Sequence, residues 1–188
     1  KIPLRPFTLR ECEQYMKSRN IVMSRKQLME GYMIMGGVPY YWKAMQKSMS
    51  LAQNIDLNFF TPGGELYEEF DALYASLFKR PEEYIKVVKM LSSKRSGLTR
   101  NELIKGGKFI DNGNFGQLLK DLESCGFIRS YSVPGYEKKN VVYQLIDPYT
   151  IFYYEFISEN RRKDTQFWSH NINKPLFNTW CELNFEHV

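Results

Sequence analysis

"TRNELIKGGKFIDNGNFGQLLKDLESCGFIRSYSV", Thr99 to Val133, is the stretch whose reading decides the fold. Thr99 with Glu102 three residues on is a capping box, in which hydroxyl and carboxylate each satisfy a backbone N–H of the first helical turn. A short helix therefore starts here. In the next segment Phe115, Leu118, Leu119 and Leu122 recur at helical spacing, and Gly126 stands where that helix stops. "FIRSYSV" and "NVVYQLID" then read as two strands joined by the loop "PGYEKK". Upstream, "PEEYIKVVKMLSS" puts Tyr84, Val87, Val88 and Leu91 at i, i+3, i+4 and i+7, one face of a further helix. Three helices followed by a hairpin predict a winged helix-turn-helix over residues 80–147.

Toward the N-terminus every segment reads as helix. Thr8 and Glu11 form a capping box, with Phe7 placed to staple onto the first turn, and Ser24 and Gln27 repeat the spacing. That second helix carries Leu28, Tyr32 and Met35 near one face. Gly36 sits where it stops and Pro39 where the next one starts, which runs through "YYWKAMQK". "SMSLAQNIDLNFF" reads as a fourth helix. Leu66, Phe70, Leu73, Tyr74 and Leu77 mark the stripe of a fifth. The expected class is mainly α: a helical domain over 1–79, the winged helix over 80–147, and a helical segment over 148–188. The last, "TIFYYEFISENRR" and "QFWSHNINKPLFNTWCELNFEHV", reads as leading into a domain that continues past Val188.

With 43% hydrophobic and 15% aromatic residues, a chain of 188 residues can bury a core, which argues against disorder. The longest apolar runs are short and broken by charge, so no membrane span is expected. "KIPLRPFTLRE" lacks the apolar core of a signal peptide and no initiator Met precedes it, the pattern of a fragment. Three widely spaced cysteines (Cys12, Cys125, Cys181) and two histidines give no zinc-ligand spacing. Reduced thiols in a cytoplasmic protein are the simplest account.

The net charge of +5 is unevenly spread. Residues 1–80 carry 11 basic and 8 acidic side chains, 81–146 carry 11 and 7, and 147–188 carry 4 and 6. The basic middle permits contact with nucleic acid without demanding it. If the winged helix binds DNA, its third helix offers Asn112, Asn114, Gln117 and Lys120 to base edges, and the loop between the strands adds Lys138 and Lys139. Residues 112–125 nevertheless sum to −1, because Asp121 and Glu123 oppose Lys120. DNA affinity rests largely on phosphate neutralisation, so a structural or protein-contact role is favoured for this helix.

No GxxxxGK[ST] loop, nucleophile elbow, metalloprotease helix or Cys–His pair is present, and no complete active site is legible. "GGKF" at 106–109 reads as a turn. "ENRRK" at 159–163 closes a helix, where the backbone dipole favours cations. Glu182 and Glu186 share a helical face without a third ligand, so no metal site is assigned. In "GGVPYY", Gly36 supplies a left-handed helix stop, Gly37 a flexible link and Pro39 a fixed φ at the first turn of the next helix, which needs no ligand; glycine also permits the close approach of one.

Across nearly the whole chain, "IPLRPFTLRECEQYM", "GYMIMGGVPYYW", "NIDLNFF", "GELYEEFDALYASLF", "SGLTRNELIKG", "LLKDLESCGFI", "YQLIDPYTIFYYEFI" and a terminal "W…NFEHV" follow in that order. This set resembles the C-terminal half of the archaeal-type ATPases of the AAA/STAND class of P-loop ATPases. "LRPFTLRE" and "MGGVPYY" are its most specific parts. The resemblance implies a helical lid, then a winged helix, then the approach to a restriction-endonuclease-like domain, the last raising a nuclease as a further possibility. It implies that a P-loop core, absent from this chain, holds ATP or ADP with Mg, so that the fragment alone is non-catalytic and takes no cofactor. It further implies that Gly37 and Pro39, matching the GxP motif of such lids, face the adenine, and that the winged helix passes the nucleotide state to a partner. A DNA-binding module is the alternative.

Overall fold

In the computed structural model, which describes residues 5–132 and 141–184, the chain is mainly helical with a small antiparallel sheet of three strands. It divides into two compact units, one built from the described residues of Lys1–Glu69 and Phe156–Val188, the other from Phe70–Glu155.

The first unit starts with α1 (Leu9–Ser18) and α2 (Arg25–Met35), each opened by its capping box, Thr8 with Glu11 and Ser24 with Gln27. Next come α3 (Pro39–Lys43) and α4 (Leu51–Ile55), the latter capped by Ser50 and Gln53 and running on as a π-helical turn over Asp56–Phe60. α3 stops at Lys43, short of the "AMQK" the sequence adds to it. Two buried asparagines take up the backbone there: Asn58 donates to the carbonyl of Ala44 at 3.3 Å, and Asn54 both accepts from the N–H of Gln46 at 2.7 Å and donates to its carbonyl at 3.1 Å. Such side chains compete with helical hydrogen bonds.

The C-terminal segment completes this unit's core. Trp168 and Trp180 are almost fully buried and meet Phe156 edge-on, with ring centres 5.2 and 5.3 Å away. Buried Asp56 accepts from the N–H groups of Trp168 (2.7 Å) and Ser169 (3.0 Å) and from the Ser169 hydroxyl. It thus satisfies the first turn of a helix 112 residues away in sequence. Arg161 lies over the Tyr67 ring at 4.5 Å and donates to the Tyr67 carbonyl. With its side chain only 12% exposed, it is a packed tie as well as the residue that closes the short helix Ser158–Asn160, the helix end the sequence reading assigned to "ENRRK".

α5 (Glu69–Leu77) leads into the second unit, where Phe70 and Tyr74 are buried; Leu77, expected on the same stripe, is 47% exposed because the helix ends there. α6 (Pro81–Ser92), α7 (Arg100–Gly107) and α8 (Gly113–Ser124) follow, burying Val87, Val88, Leu91, Leu103, Phe115, Leu118, Leu119 and Leu122. The hairpin consists of β2 (Ile128–Ser132) and β3 (Val141–Leu145), paired Ile128 to Leu145 and Ser132 to Val141. A two-residue strand that the sequence reading missed, β1 (Leu98–Thr99), pairs with β3, giving the order β1-β3-β2. Gly97 makes this pairing possible: φ is +81°, and a Cβ there would lie 2.4 Å from the Tyr143 carbonyl oxygen. Past β3, α9 (Pro148–Phe152) buries Tyr149 and Phe152. The remaining short helices, α10 (Ser158–Asn160), α11 (Phe167–Asn171) and α12 (Pro175–Asn184), belong to the first unit.

Two outcomes check these ties. Asp56→Ala strands two N–H groups of α11 and should cost about 3 kcal/mol in urea unfolding. The Glu102 carboxylate accepts from the Thr99 N–H and hydroxyl and from Lys94, which lowers its pKa from 4.5 to about 2. Its contribution is fully present above pH 4.5 and is lost as pH falls toward 2. The group is exposed, so Glu102→Gln should remove no more than about 1 kcal/mol at pH 7, and the variant's stability should vary less between pH 4.5 and 2.

Candidate functional site

Two places carry the residues that the sequence singled out. The first is the turn between α2 and α3. Gly36 adopts φ 57° and ψ −155°, a region open in practice to glycine; its N–H donates to Tyr32 at 2.7 Å and its carbonyl accepts from buried Trp42 Nε1 at 2.8 Å. Gly37 then meets the chain's own N-terminal segment. Its carbonyl accepts from the Phe7 N–H at 2.7 Å, and a Cβ on it would stand 1.9 Å from the Phe7 carbonyl oxygen. The Tyr32 hydroxyl donates to that same oxygen at 2.9 Å. Both backbone groups of Phe7 are thus engaged, just ahead of the Thr8 cap that starts α1.

Gly37 is therefore buried, its missing side chain already matched by Phe7. Pro39, at the first position of α3, is exposed, and Tyr40 is 44% exposed, while Tyr41 and Trp42 are buried. The surroundings are acidic. Tyr41 donates to Glu69 at 3.0 Å, and burial raises the Glu69 carboxyl against that hydrogen bond. The Tyr40 hydroxyl is raised by burial and then by Glu69 and Glu65. A surface with two carboxylates repels phosphate but accepts the uncharged face of a base on the proline ring. Tested against a nucleotide, Pro39 fits a base contact, Gly37 fits a positioning role, and neither fits a phosphate.

The second place is α8. Asn112 caps it, its Oδ1 accepting from the Phe115 N–H at 3.1 Å, so this side chain is committed to the helix start. Gln117 donates to Asp121 Oδ1 and Tyr84 to Asp121 Oδ2, both at 2.8 Å. Burial, followed by the Asp121 hydrogen bond and charge, pushes the Tyr84 hydroxyl up to about 12. Glu123 accepts from the N–H and hydroxyl of Ser130 at 3.0 and 2.6 Å. Asn114 and Lys120 are exposed. Beside this helix lies a cavity of about 770 Å³, lined among others by Phe78, Tyr84, Phe109, Phe115, Gln117 and Asp121. It falls in the range of ligand pockets. Exposed Ile110 (77%) also lines it. Lys138 and Lys139 lie outside the described residues, as does Glu186 of the Glu182–Glu186 pair.

Among the described residues no group of three or more His, Cys, Asp or Glu is placed to hold a metal ion, and no helix is long and apolar enough to cross a membrane. Sequence reasoning missed the Asp121 constellation, because Tyr84 lies 37 residues away, and the cavity beside it. Comparison of the chain with protein-family models, with curated proteins and with solved structures finds no match in any of the three.

The close approach at Gly37 has a direct test. Gly37→Ala forces Phe7 backbone away and should cost about 3 kcal/mol in urea unfolding. Gly113→Ala, where an added Cβ meets nothing within 4 Å, should change stability by no more than about 1 kcal/mol.

Proposed function

We propose that this chain is the lid and winged-helix part of a nucleotide-driven switch protein of the P-loop ATPase class, cytoplasmic and without catalytic groups of its own. ATP or ADP with Mg is held by a P-loop core outside the chain, and that core is its first partner. The first unit is the lid. The observation that carries the reading is the turn at Gly36–Pro39: Gly37 is locked by Phe7, and Pro39 and Tyr40 are thereby held exposed beside Glu65 and Glu69. Such a surface takes a base and leaves the phosphates to a core. When bound, the nucleotide supplies a change in core–lid angle; what this chain contributes is an oriented proline ring.

The second unit is a winged helix-turn-helix, with α6, α7 and α8 as its helices and β2–β3 as its wing. The short β1 ahead of α7, paired with β3, supports that reading. Its α8 serves as a protein contact. Asn112 and Gln117 are spent within the unit, and Lys120 is outweighed by Asp121 and Glu123. The second reading, a DNA-binding module using α8 and the wing, is favoured only by exposed Asn114 and Lys120; it requires that Lys120→Ala and the pair Lys138→Ala, Lys139→Ala weaken duplex binding.

The test uses nucleotide titration. This chain alone should bind no ATP. The longer protein with its core in place should bind ATP with Mg, and Pro39→Ala in it should weaken binding about tenfold, equivalent to about 1.4 kcal/mol. No nucleotide binding by the longer protein, or unchanged affinity in the Pro39 variant, overturns the reading.

A further inference from the structure

The cavity beside α8 lies wholly within the second unit and has no part in the nucleotide reading. Its wall is aromatic. The Phe78 and Tyr84 rings stack there with centres 3.8 Å apart and planes 8° apart, and Phe109 and Phe115 meet with centres 4.8 Å apart. Leu77 and Ile110 stand exposed on its lining; Tyr131 is the one other large apolar side chain exposed in this unit among the described residues. Exposed apolar side chains gathered round an aromatic hollow mark a place where another surface is received. At about 770 Å³ the hollow has room for more than a single side chain.

Four charged side chains line it, Lys79, Arg80, Glu83 and Asp121. Among the described residues none of them forms an ion pair, and neither does Lys120 next to Asp121. Lys79, Arg80 and Glu83 are exposed, whereas Asp121 is half-buried. Its two oxygens each accept one hydrogen bond at 2.8 Å, from the neutral donors Gln117 and Tyr84. A partner laid over the cavity strips the remaining water from a carboxylate that no cation pairs with. A buried charge left in that state is costly, so the partner itself has to bring the cation. Each oxygen keeps a lone pair, and the planar fork of a guanidinium spans two such oxygens at once, which an ammonium does not. A guanidinium also lies well over an aromatic ring, as Arg100 does in this unit at 5.0 Å from the centre of Phe115.

We propose that this cavity receives an arginine side chain of a protein partner, its guanidinium on Asp121 and its apolar neighbours on Leu77 and Ile110. The proposal rests on the reading of α8 as a protein contact and supplies the chemistry of the partner. Tyr84 and Gln117 are its positioning residues, since they hold the two carboxylate oxygens in place.

The experiment selects random linear peptides, displayed on phage, on the 188-residue chain, and measures the binders as free peptides by fluorescence polarisation. The binders should share an arginine beside apolar residues. Changing that arginine to lysine should weaken them about tenfold, and to alanine about 30-fold, the loss expected of a central anchor. Asp121→Asn, which keeps the side chain's shape, should weaken them about 30-fold with unchanged circular dichroism, and Ile110→Ser about fivefold. Val22→Ser, at an exposed apolar position of the first unit, should leave affinity unchanged and so excludes general stickiness. Binders without arginine, acidic binders drawn by Lys79 and Arg80, or equal binding by the Asp121 variant would each overturn the proposal and leave α8 a protein contact of another chemistry. Recovery of no binder overturns it as well. Failure of the α8 reading itself shows separately, as duplex DNA binding that is lost in Lys120→Ala.

Discussion

The first unit depends on one contact, the Phe7 amide against the Gly37 carbonyl at 2.7 Å. Three helices take their ends from it. α1 starts one residue beyond its Thr8 cap, α2 has just stopped at Met35, and α3 opens at Pro39. The Tyr32 hydroxyl donates to the Phe7 carbonyl, so the two peptide groups flanking the Phe7 Cα are each held, by residues 25 and 30 positions further along the chain. No other amino acid suits position 37, because a Cβ would enter the volume of the Phe7 backbone. A pair of glycines that looks like slack in the sequence is, in the fold, a close-packed joint. Pro39 and Tyr40 are presented at the surface because everything on either side of them is pinned.

The second unit follows another rule, the internal settlement of charge. Asp111, Asp121, Glu102 and Glu123 all find donors within the unit, from Arg100, Tyr84, Gln117, Lys94, Thr99 and Ser130. On α8, Asp121 holds Gln117 and Tyr84, and Glu123 holds Ser130.

Much of this was legible in the residues, and the boundary is physical. Thr8 with Glu11, Ser24 with Gln27, and Thr99 with Glu102 announce helix starts because both partners of each hydrogen bond lie within one turn. The apolar spacing of α6 and α8 and the hairpin strands are local in the same sense. Contacts that span the chain are not. Nothing around Asp56 indicates that its carboxylate caps a helix beginning at Phe167, and "ENRRK" reads as a helix end without indicating that Arg161 packs over Tyr67. β1 was invisible because two residues carry no periodicity; only the pairing with Val142 and Tyr143 defines it. At Gly37 the sequence reading gives a turn that permits a close approach without requiring one, and the identity of Phe7 as the neighbour required the fold.

The account therefore rests most directly on the state of one amide. Hydrogen exchange of the Phe7 N–H, measured by NMR under native conditions, should be slowed to the level of the α2 amides around Ile34, since opening it requires breaking the joint. Exchange of Phe7 at the rate of an unprotected peptide, with the α2 amides still protected, would contradict the account: the joint would be open in solution, and the exposure of Pro39 would lose its structural cause.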